Sequence, residues 1–196
     1  MHLPHLLGKR VILKPGEYFV SKQQVVISTL LGSCVAACLW DEPNKVIGMN
    51  HFLLANRRYA RNQPLCGTEA GRYGVQAMEL LINGMMKLGA RRENLRAKVF
   101  GGASVMKMSG GDNFSCVGEV NTRFIVEFLV TDGIPLVSAD LGGNAGRVIY
   151  FSSEDFSVHM RKMGRTKQKR IAQKEKGFWE HAAEEGRGVP EPEVWL

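Results

Sequence analysis

Apolar residues recur along the chain with two different periods, and each period predicts a different kind of element. One set is spaced three or four positions apart and therefore lies on one face of an α-helix: Met78, Leu81, Ile82, Met85 and Leu88. Gly89 follows at the position where helices commonly end. This pattern predicts one amphipathic helix over residues 74–88.

Short apolar or β-branched runs bounded by turn residues predict strands elsewhere. These runs cover residues 11–20, 23–27, 35–40, 45–54, 95–100, 123–130, 134–139 and 147–151. Glycine pairs at 101–102, 110–111 and 142–143 separate several of them. Many short strands with few helices predict a single α/β domain, built from layered, mixed and sandwich-like β-sheets with helices packed outside.

The apolar pattern fades after Val158, which predicts a domain over residues 1–160 and a C-terminal tail over 161–196. Residues 161–176 hold eight basic and one acidic side chain, whereas residues 177–196 hold one basic and five acidic. The net charge of +7 for the whole chain is therefore largely a local feature of a flexible tail. No aromatic residue lies among the basic ones, so a platform for stacking nucleic-acid bases is absent and nucleic-acid binding is not expected.

The chain contains no apolar run of about 18 residues, so membrane insertion is not expected. Its first ten residues place their charges after the apolar positions, unlike a secretory signal. The cysteines are Cys34, Cys38, Cys66 and Cys116, and they follow no paired framework. A domain of this size needs no disulfides to fold, which favours a reducing, cytoplasmic location with free thiols.

A predicted hairpin brings two reactive side chains together. If residues 41–44 form its four-residue loop, Trp40 faces Lys45 and paired positions sum to 85, which places Cys34 opposite His51. Directly opposed side chains point to the same face, at a distance where an imidazole can activate a thiol. A slip of one residue would send the two to opposite faces.

Other interpretations of these residues stay open. A cysteine in an apolar strand is usually a small core residue, and Cys38, beside Leu39 and Trp40, fits that description. Zinc binding by Cys34, Cys38 and His51 lacks an evident fourth ligand, so no metal is expected. The glycine-rich run 142–147 lacks the lysine of a phosphate-binding P-loop, and tight turns buttressed by Arg147 are the simpler interpretation.

Six blocks of the sequence, in order, resemble the CheD family of chemoreceptor glutamine deamidases. The blocks are Thr29–Val35 with its Gly-Ser-Cys motif, Cys38–Asp41, Gly48–Leu54, Lys98–Ala103, Gly118–Asn121 and Asp140–Arg147. The resemblance covers roughly residues 15–160 and leaves the tail outside it.

The resemblance implies a protein-glutamine glutaminase, a hydrolase that converts glutamine side chains of methyl-accepting chemotaxis proteins to glutamate and supports chemotaxis adaptation. It implies Cys34 as the nucleophile and His51 as the acid–base group. The family's third member is a threonine six residues before the cysteine; that position is Ser28 here, with Thr29 next to it as the alternative. Main-chain N–H groups of Gly32 and Ser33 are candidates for stabilising an oxyanion.

The resemblance implies no cofactor, and it adds a CheC-family phosphatase as a second partner. Two other functions remain open at this point. One is a catalytically weak adaptor that binds chemoreceptors or such a phosphatase, which the unusual Ser28 allows. The other is an enzyme that passes the same thioester to an amine instead of to water.

Overall fold

The computed structural model describes residues 9–54, 69–104 and 115–164. Within these ranges the chain forms two long helices, α1 (Glu69–Lys87) and α2 (Ser115–Thr131). The nine strands of the described ranges are β1 (Lys9–Ile12), β2 (Tyr18–Ser21), β3 (Val25–Leu31), β4 (Val35–Asp41), β5 (Val46–Asn50), β6 (Arg96–Gly101), β7 (Leu136–Leu141), β8 (Arg147–Ser152) and β9 (Val158–Lys162).

The strands form two mixed sheets. One sheet has the order β1-β3-β8-β9 and the other β2-β5-β4-β6-β7. The β1–β3 and β6–β7 pairs are parallel and the remaining pairs are antiparallel. The predicted class, layered mixed sheets with helices packed outside, is confirmed.

Strand β4 lies at the centre of the molecule and is buried on both faces. Ala36, Cys38 and Trp40 pack between the two sheets, in a cluster with Ile27 and Phe151 of the four-stranded sheet. The alternate residues of β4 pack on the other side, among apolar residues of both helices. This alternation follows from the two-residue period of a strand, and it produces a sheet–sheet–helix arrangement.

The segment 123–130, predicted to be a strand, is helical and belongs to α2. Its buried residues are spaced as on a helix face: Val120, Phe124, Ile125, Phe128 and Leu129. Val126 and Val130 lie on the opposite, exposed face. The other predicted elements are present with shifted boundaries, and the run 11–20 is two strands, joined through a turn at Gly16. Strand β9 was not predicted, because the apolar pattern fades after Val158, where this strand begins.

The predicted register of the β4–β5 hairpin is wrong by two positions. Asp41 pairs with Val46 and Cys38 with Met49, so paired positions sum to 87 and the loop covers residues 42–45. Asp41 stays in the strand because its buried carboxylate accepts hydrogen bonds from the main chains of Asn44 and Arg91, at 3.0 and 2.7 Å. Burial raises the pKa of Asp41, but these hydrogen bonds outweigh that effect and the net pKa is lowered.

Candidate active site

The shifted register separates Cys34 and His51 along the hairpin but keeps them on one face. The bridge between Val35 and Phe52 has the same sum of 87, so Cys34 is level with Leu53 and His51 with Ala36. Because the error is an even number of residues, the two side chains still share the face between the sheets. They are diagonal neighbours instead of directly opposed.

His51 lies where the ladder between β4 and β5 is interrupted. The Ala37 N–H donates to the side-chain oxygen of Asn50 at 3.0 Å, where a regular ladder would use a main-chain oxygen. The main chain of His51 pairs instead with the segment before β2. Its N–H donates to the Glu17 carbonyl at 2.9 Å, and its carbonyl accepts the Gly16 N–H at 2.7 Å. Both main-chain groups of His51 are thereby fixed.

The imidazole of His51 is held by the opposite sheet. Thr29 Oγ1 on β3 lies 2.7 Å from His51 Nδ1 and also 2.8 Å from the Leu13 carbonyl oxygen. A carbonyl only accepts, so the single hydroxyl proton of Thr29 is donated to Leu13. Thr29 Oγ1 then accepts the proton of His51 Nδ1. This hydrogen-bond chain assigns the Nδ1–H tautomer and leaves the lone pair on Nε2.

Ser28, the residue at the family's offset, does not contact His51. Successive side chains of a strand point to opposite faces, and Ser28 Oγ donates to the Val11 carbonyl at 3.3 Å on the outer face of the four-stranded sheet. Thr29, the alternative, faces the space between the sheets and makes the contact. The prediction that Ser28 orients His51 is therefore corrected in favour of Thr29.

The three side chains lie in a nearly dry layer. Cys34 is 0% exposed, and His51 and Thr29 are each 2% exposed. Burial lowers the pKa of His51 to about 4, and the nearby main chain of Leu13 offsets only part of this effect. His51 is thus a neutral base at neutral pH. Within the described part of the chain, its Nε2 atom has no hydrogen-bond partner.

Cys38 is as buried as Cys34 and belongs to the same cluster between the sheets. Burial raises the pKa of its thiol, with Lys98 offsetting part of the effect. A thiol that stays protonated is a poor nucleophile. Cys66 and the side chain of Cys116 lie outside the described residues.

Hydrogen bonds to three successive carbonyls fix the turn that carries Cys34. The Gly32 carbonyl accepts the Ala103 N–H at 2.8 Å, and the Cys34 carbonyl accepts the Gly102 N–H at 2.7 Å. Between them, the Ser33 carbonyl accepts from Asn121 Nδ2 of α2 at 2.9 Å. The role of the Gly32 and Ser33 N–H groups toward an oxyanion remains a prediction.

Glycines permit this close approach of elements. A Cβ at Gly101, whose φ is +120°, would lie 2.1 Å from the Cys34 carbonyl oxygen. A Cβ at Gly118 on α2 would lie 2.5 Å from the Gly102 carbonyl oxygen. Both obstacles are main-chain atoms, so no side chain could rotate away. The turn can be held by β6 and α2 only because these positions lack a Cβ.

Arg147 braces the loop between β7 and β8. Its buried guanidinium donates to the main chain and carboxylate of Asp140 and to the Gly142 carbonyl, and burial lowers its pKa while Asp140 opposes that effect. The loop meets the Cys34 region, because Gly142 N–H donates to the Gly101 carbonyl and Ser104 N–H to the Gly143 carbonyl. Arg147 therefore serves as the buttress expected from the sequence.

Neither a metal centre nor a membrane span is found in the described residues. No group of three or more His, Cys, Asp or Glu side chains in these ranges could hold a metal ion. No described helix is long and apolar enough to cross a membrane.

Two buried amides of the site, Asn50 and Asn121, were not predicted as functional residues. Asn121 ends one of the six family-like blocks, Gly118–Asn121, but only its contacts in the structure indicate a role. An asparagine that falls on the apolar face of a helix, between Val120 and Phe124, was the available signal. It was missed because no helix was predicted here: residues 123–130 were interpreted as a strand, and residue 121 was assigned to no element.

Comparison with known proteins identifies the family. The family model described as CheD chemotactic sensory transduction matches residues 53–162. A Geobacter sulfurreducens protein named probable chemoreceptor glutamine deamidase CheD 1 is 54% identical over 199 residues, covering 100% of this chain and 99% of that protein. The Shewanella oneidensis protein named probable chemoreceptor glutamine deamidase CheD 2 is 49% identical over 151 residues, covering 76% of this chain and 74% of its own.

Among solved structures, a Neisseria meningitidis protein of the DUF152 family matches with a TM-score of 0.36 and 11% identity, over 65% of this chain and 52% of that one. Similarity at this level indicates nothing about function. The family model and the two relatives together show that this chain belongs to the CheD family.

Proposed function

We propose that this protein hydrolyses glutamine side-chain amides of methyl-accepting chemotaxis proteins to glutamate, with Cys34 as nucleophile and His51 as acid–base group. The observation that carries the proposal is the hydrogen-bond chain from Leu13 through Thr29 to His51, which leaves a basic Nε2 in the layer that also holds Cys34. The names of the relatives, chemoreceptor glutamine deamidases, supply the substrate class.

The chemistry begins with a neutral pair. As Cys34 Sγ attacks the amide carbon, its proton passes to His51 Nε2, and the hydrogen bond from Nδ1 to Thr29 orients the ring throughout. The developing oxyanion is stabilised by N–H groups of the Gly32–Cys34 turn. The imidazolium then gives its proton to the departing nitrogen, releasing ammonia and leaving a thioester on Cys34.

Hydrolysis of the thioester completes the cycle. His51 Nε2 takes a proton from water as its oxygen attacks the thioester carbon, and the proton returns to the sulfur when the carbon–sulfur bond breaks. The product is a glutamate carboxylate and the free thiol. A receptor glutamate produced in this way is a methylation site, so the reaction supports chemotaxis adaptation. We assign this reaction to the cytoplasm, and the family resemblance adds a CheC-family phosphatase as a second partner.

The test is incubation of the protein with a chemoreceptor cytoplasmic fragment, followed by mass spectrometry of the receptor peptides. We expect conversion of specific glutamines to glutamates by the wild type and by Cys38→Ala, and none by Cys34→Ala. Full conversion by Cys34→Ala would overturn the mechanism.

Two further outcomes would indicate the alternatives. Receptor binding without conversion by the wild type would indicate an adaptor. A receptor amide formed with an added primary amine, in place of glutamate, would indicate amine transfer.

A further inference from the structure

Asn121 is a completely buried amide that joins the two halves of the active site. It projects from α2 and is 0% exposed. Its Nδ2 donates to the Ser33 carbonyl at 2.9 Å, and its Oδ1 accepts the Leu54 N–H at 2.8 Å. Because a carbonyl only accepts and an N–H only donates, these two partners fix the orientation of the amide.

The two partners of Asn121 flank the reacting groups. Ser33 immediately precedes Cys34, and Leu54 follows His51 by three residues. The main chains of these two segments meet at the Val35–Phe52 bridge, with hydrogen bonds of 3.0 and 2.9 Å. Asn121 ties the same segments together beyond that bridge, from a third element. The separation of the thiol and the imidazole is therefore bounded by one main-chain bridge and one side-chain amide.

We propose that Asn121 is a positioning residue of the reaction: it sets the approach of Cys34 to His51 by holding Ser33 and Leu54 at a fixed separation. The inference rests on the proposed function, because it concerns the geometry of that reaction. Beyond the Val35–Phe52 bridge, the buried amide of Asn121 adds one donor and one acceptor between the two segments, and at 0% exposure these groups are shielded from bulk water. Attack by a sulfur and transfer of its proton both depend steeply on such alignment.

The substitution Asn121→Asp removes the hydrogen-bond donor of the side chain and keeps its shape. An ionised carboxylate still accepts from Leu54 N–H but cannot donate to the Ser33 carbonyl, whereas a protonated carboxyl can do both. Burial raises the pKa of this carboxyl, so we expect kcat for deamidation to fall about 10- to 100-fold at a pH high enough to ionise it, with KM within about twofold of the wild type. The deficit relative to wild type shrinks as the pH is lowered and the new carboxyl takes up a proton.

The matched control is Asp41→Asn, which makes the reverse exchange, an amide in place of a carboxylate, at another buried position. Asp41 lies at the far end of β4 and bonds to the 42–45 loop and Arg91, away from the site. It is expected to lose stability and keep the wild-type kcat. Folding of each variant is checked by its denaturant unfolding curve. If Asn121→Asp does not fold, Asn121→Ser, whose hydroxyl can serve one of the two partners, takes its place.

A second measurement separates failure of this inference from failure of the proposed function. The pH dependence of Cys34 alkylation by iodoacetamide, followed on its peptide, reports the coupling of the thiol to His51 without any receptor. We expect the apparent thiol pKa to shift in Asn121→Asp and not in Asp41→Asn. An unchanged alkylation profile together with unchanged kcat in a folded Asn121→Asp would overturn the positioning role. Absence of glutamine conversion by the wild type would instead overturn the function.

Discussion

At the scale of single residues, the contrast between Thr29 and Ser28 is the sharpest available test of the site. The two hydroxyls are adjacent in sequence and both are buried, yet only Thr29 reaches His51. Removing the Thr29 hydroxyl lets the imidazole rotate and removes the group that fixes its tautomer. We expect Thr29→Val to lower kcat on the order of 100-fold, and Ser28→Ala to leave kcat within about threefold of wild type.

Steady-state kinetics on a receptor fragment measures this difference. Thr29→Ser is the conservative variant, since it keeps the hydroxyl, and it is expected to retain most of the activity. A crippled Ser28→Ala beside an active Thr29→Val would mean that the hydrogen bond to Thr29 does not serve catalysis.

The buried, neutral state of His51 makes a second prediction at this scale, about pH. Its pKa is about 4 in the folded protein and about 6.5 in an unfolded chain. Between these values the unfolded state binds the extra proton, so the free energy of unfolding rises with pH across that window and is lost as the pH falls. The full contribution, present above about pH 6.5, is on the order of 3 kcal/mol.

Denaturant unfolding of the wild type and of His51→Asn, at about pH 7.5 and about pH 4.5, measures this effect. The wild type should lose more stability than the variant on acidification. Equal losses in the two proteins would show that His51 binds its proton as readily in the folded state as in the unfolded one.

At the scale of elements, the contact between α2 and the loop after β6 depends on two glycines facing each other. A Cβ on Gly118 would lie 2.5 Å from the Gly102 carbonyl oxygen and 3.0 Å from that of Ala103. The helix or the loop must then move, and Gly102 N–H is the donor to the Cys34 carbonyl. We expect Gly118→Ala to destabilise the protein by about 1–3 kcal/mol and to lower kcat as well.

The matched control is Gly84→Ala in α1. Its nearest obstacle is the Tyr18 ring edge at 3.2 Å, a side chain that can shift, and alanine favours the helix by up to about 1 kcal/mol. Thermal unfolding with kinetics distinguishes the two variants. Wild-type kcat in Gly118→Ala would show that the Gly32–Cys34 turn tolerates movement of α2.

The elements also show how far sequence reasoning reaches. Helix α1 was predictable because its apolar residues recur at helical spacing and glycine follows. Helix α2 was not, because β-branched and aromatic residues dominate 123–130 and their propensity favours a strand. The helical spacing of Phe124, Ile125, Phe128 and Leu129 was nevertheless present in the sequence, and tertiary burial on one face decided the outcome.

The hairpin shows a different limit. The register was predicted to within two residues. Because this error is even, Cys34 and His51 lie on one face as predicted, although they are diagonal instead of directly opposed. In the correct register Asp41 is the last residue of β4, and its buried carboxylate accepts from the N–H of Arg91, fifty residues away in the chain. A non-local contact of that kind, like the amide of Asn121, cannot be deduced from local pattern.

At the scale of the whole molecule, the charged C-terminal segment beyond the described residues takes no part in the proposed reaction steps. The sheet ends at Lys162, and residues 165–196 follow the last described residue. The Geobacter relative matches this chain over its full length, whereas the Shewanella relative matches 76% of it. The family model matches residues 53–162 and does not extend over the basic residues beyond 162.

Charge alone supports a prediction for this segment. A basic run that attracts an acidic receptor surface raises the association rate without adding catalytic groups, and salt weakens it as the Debye length falls from about 10 Å at 0.1 M to about 3 Å at 1 M. Truncation after Gly164 should therefore lower kcat/KM at low ionic strength, leave kcat unchanged and have little effect at high salt. Kinetics on the receptor fragment across a salt series measures this effect. Substitution of the acidic residues after 176 should act in the opposite direction and raise kcat/KM at low ionic strength. A truncated protein that loses kcat equally at every salt concentration would show that the segment contributes to the folded domain or its site instead of to encounter.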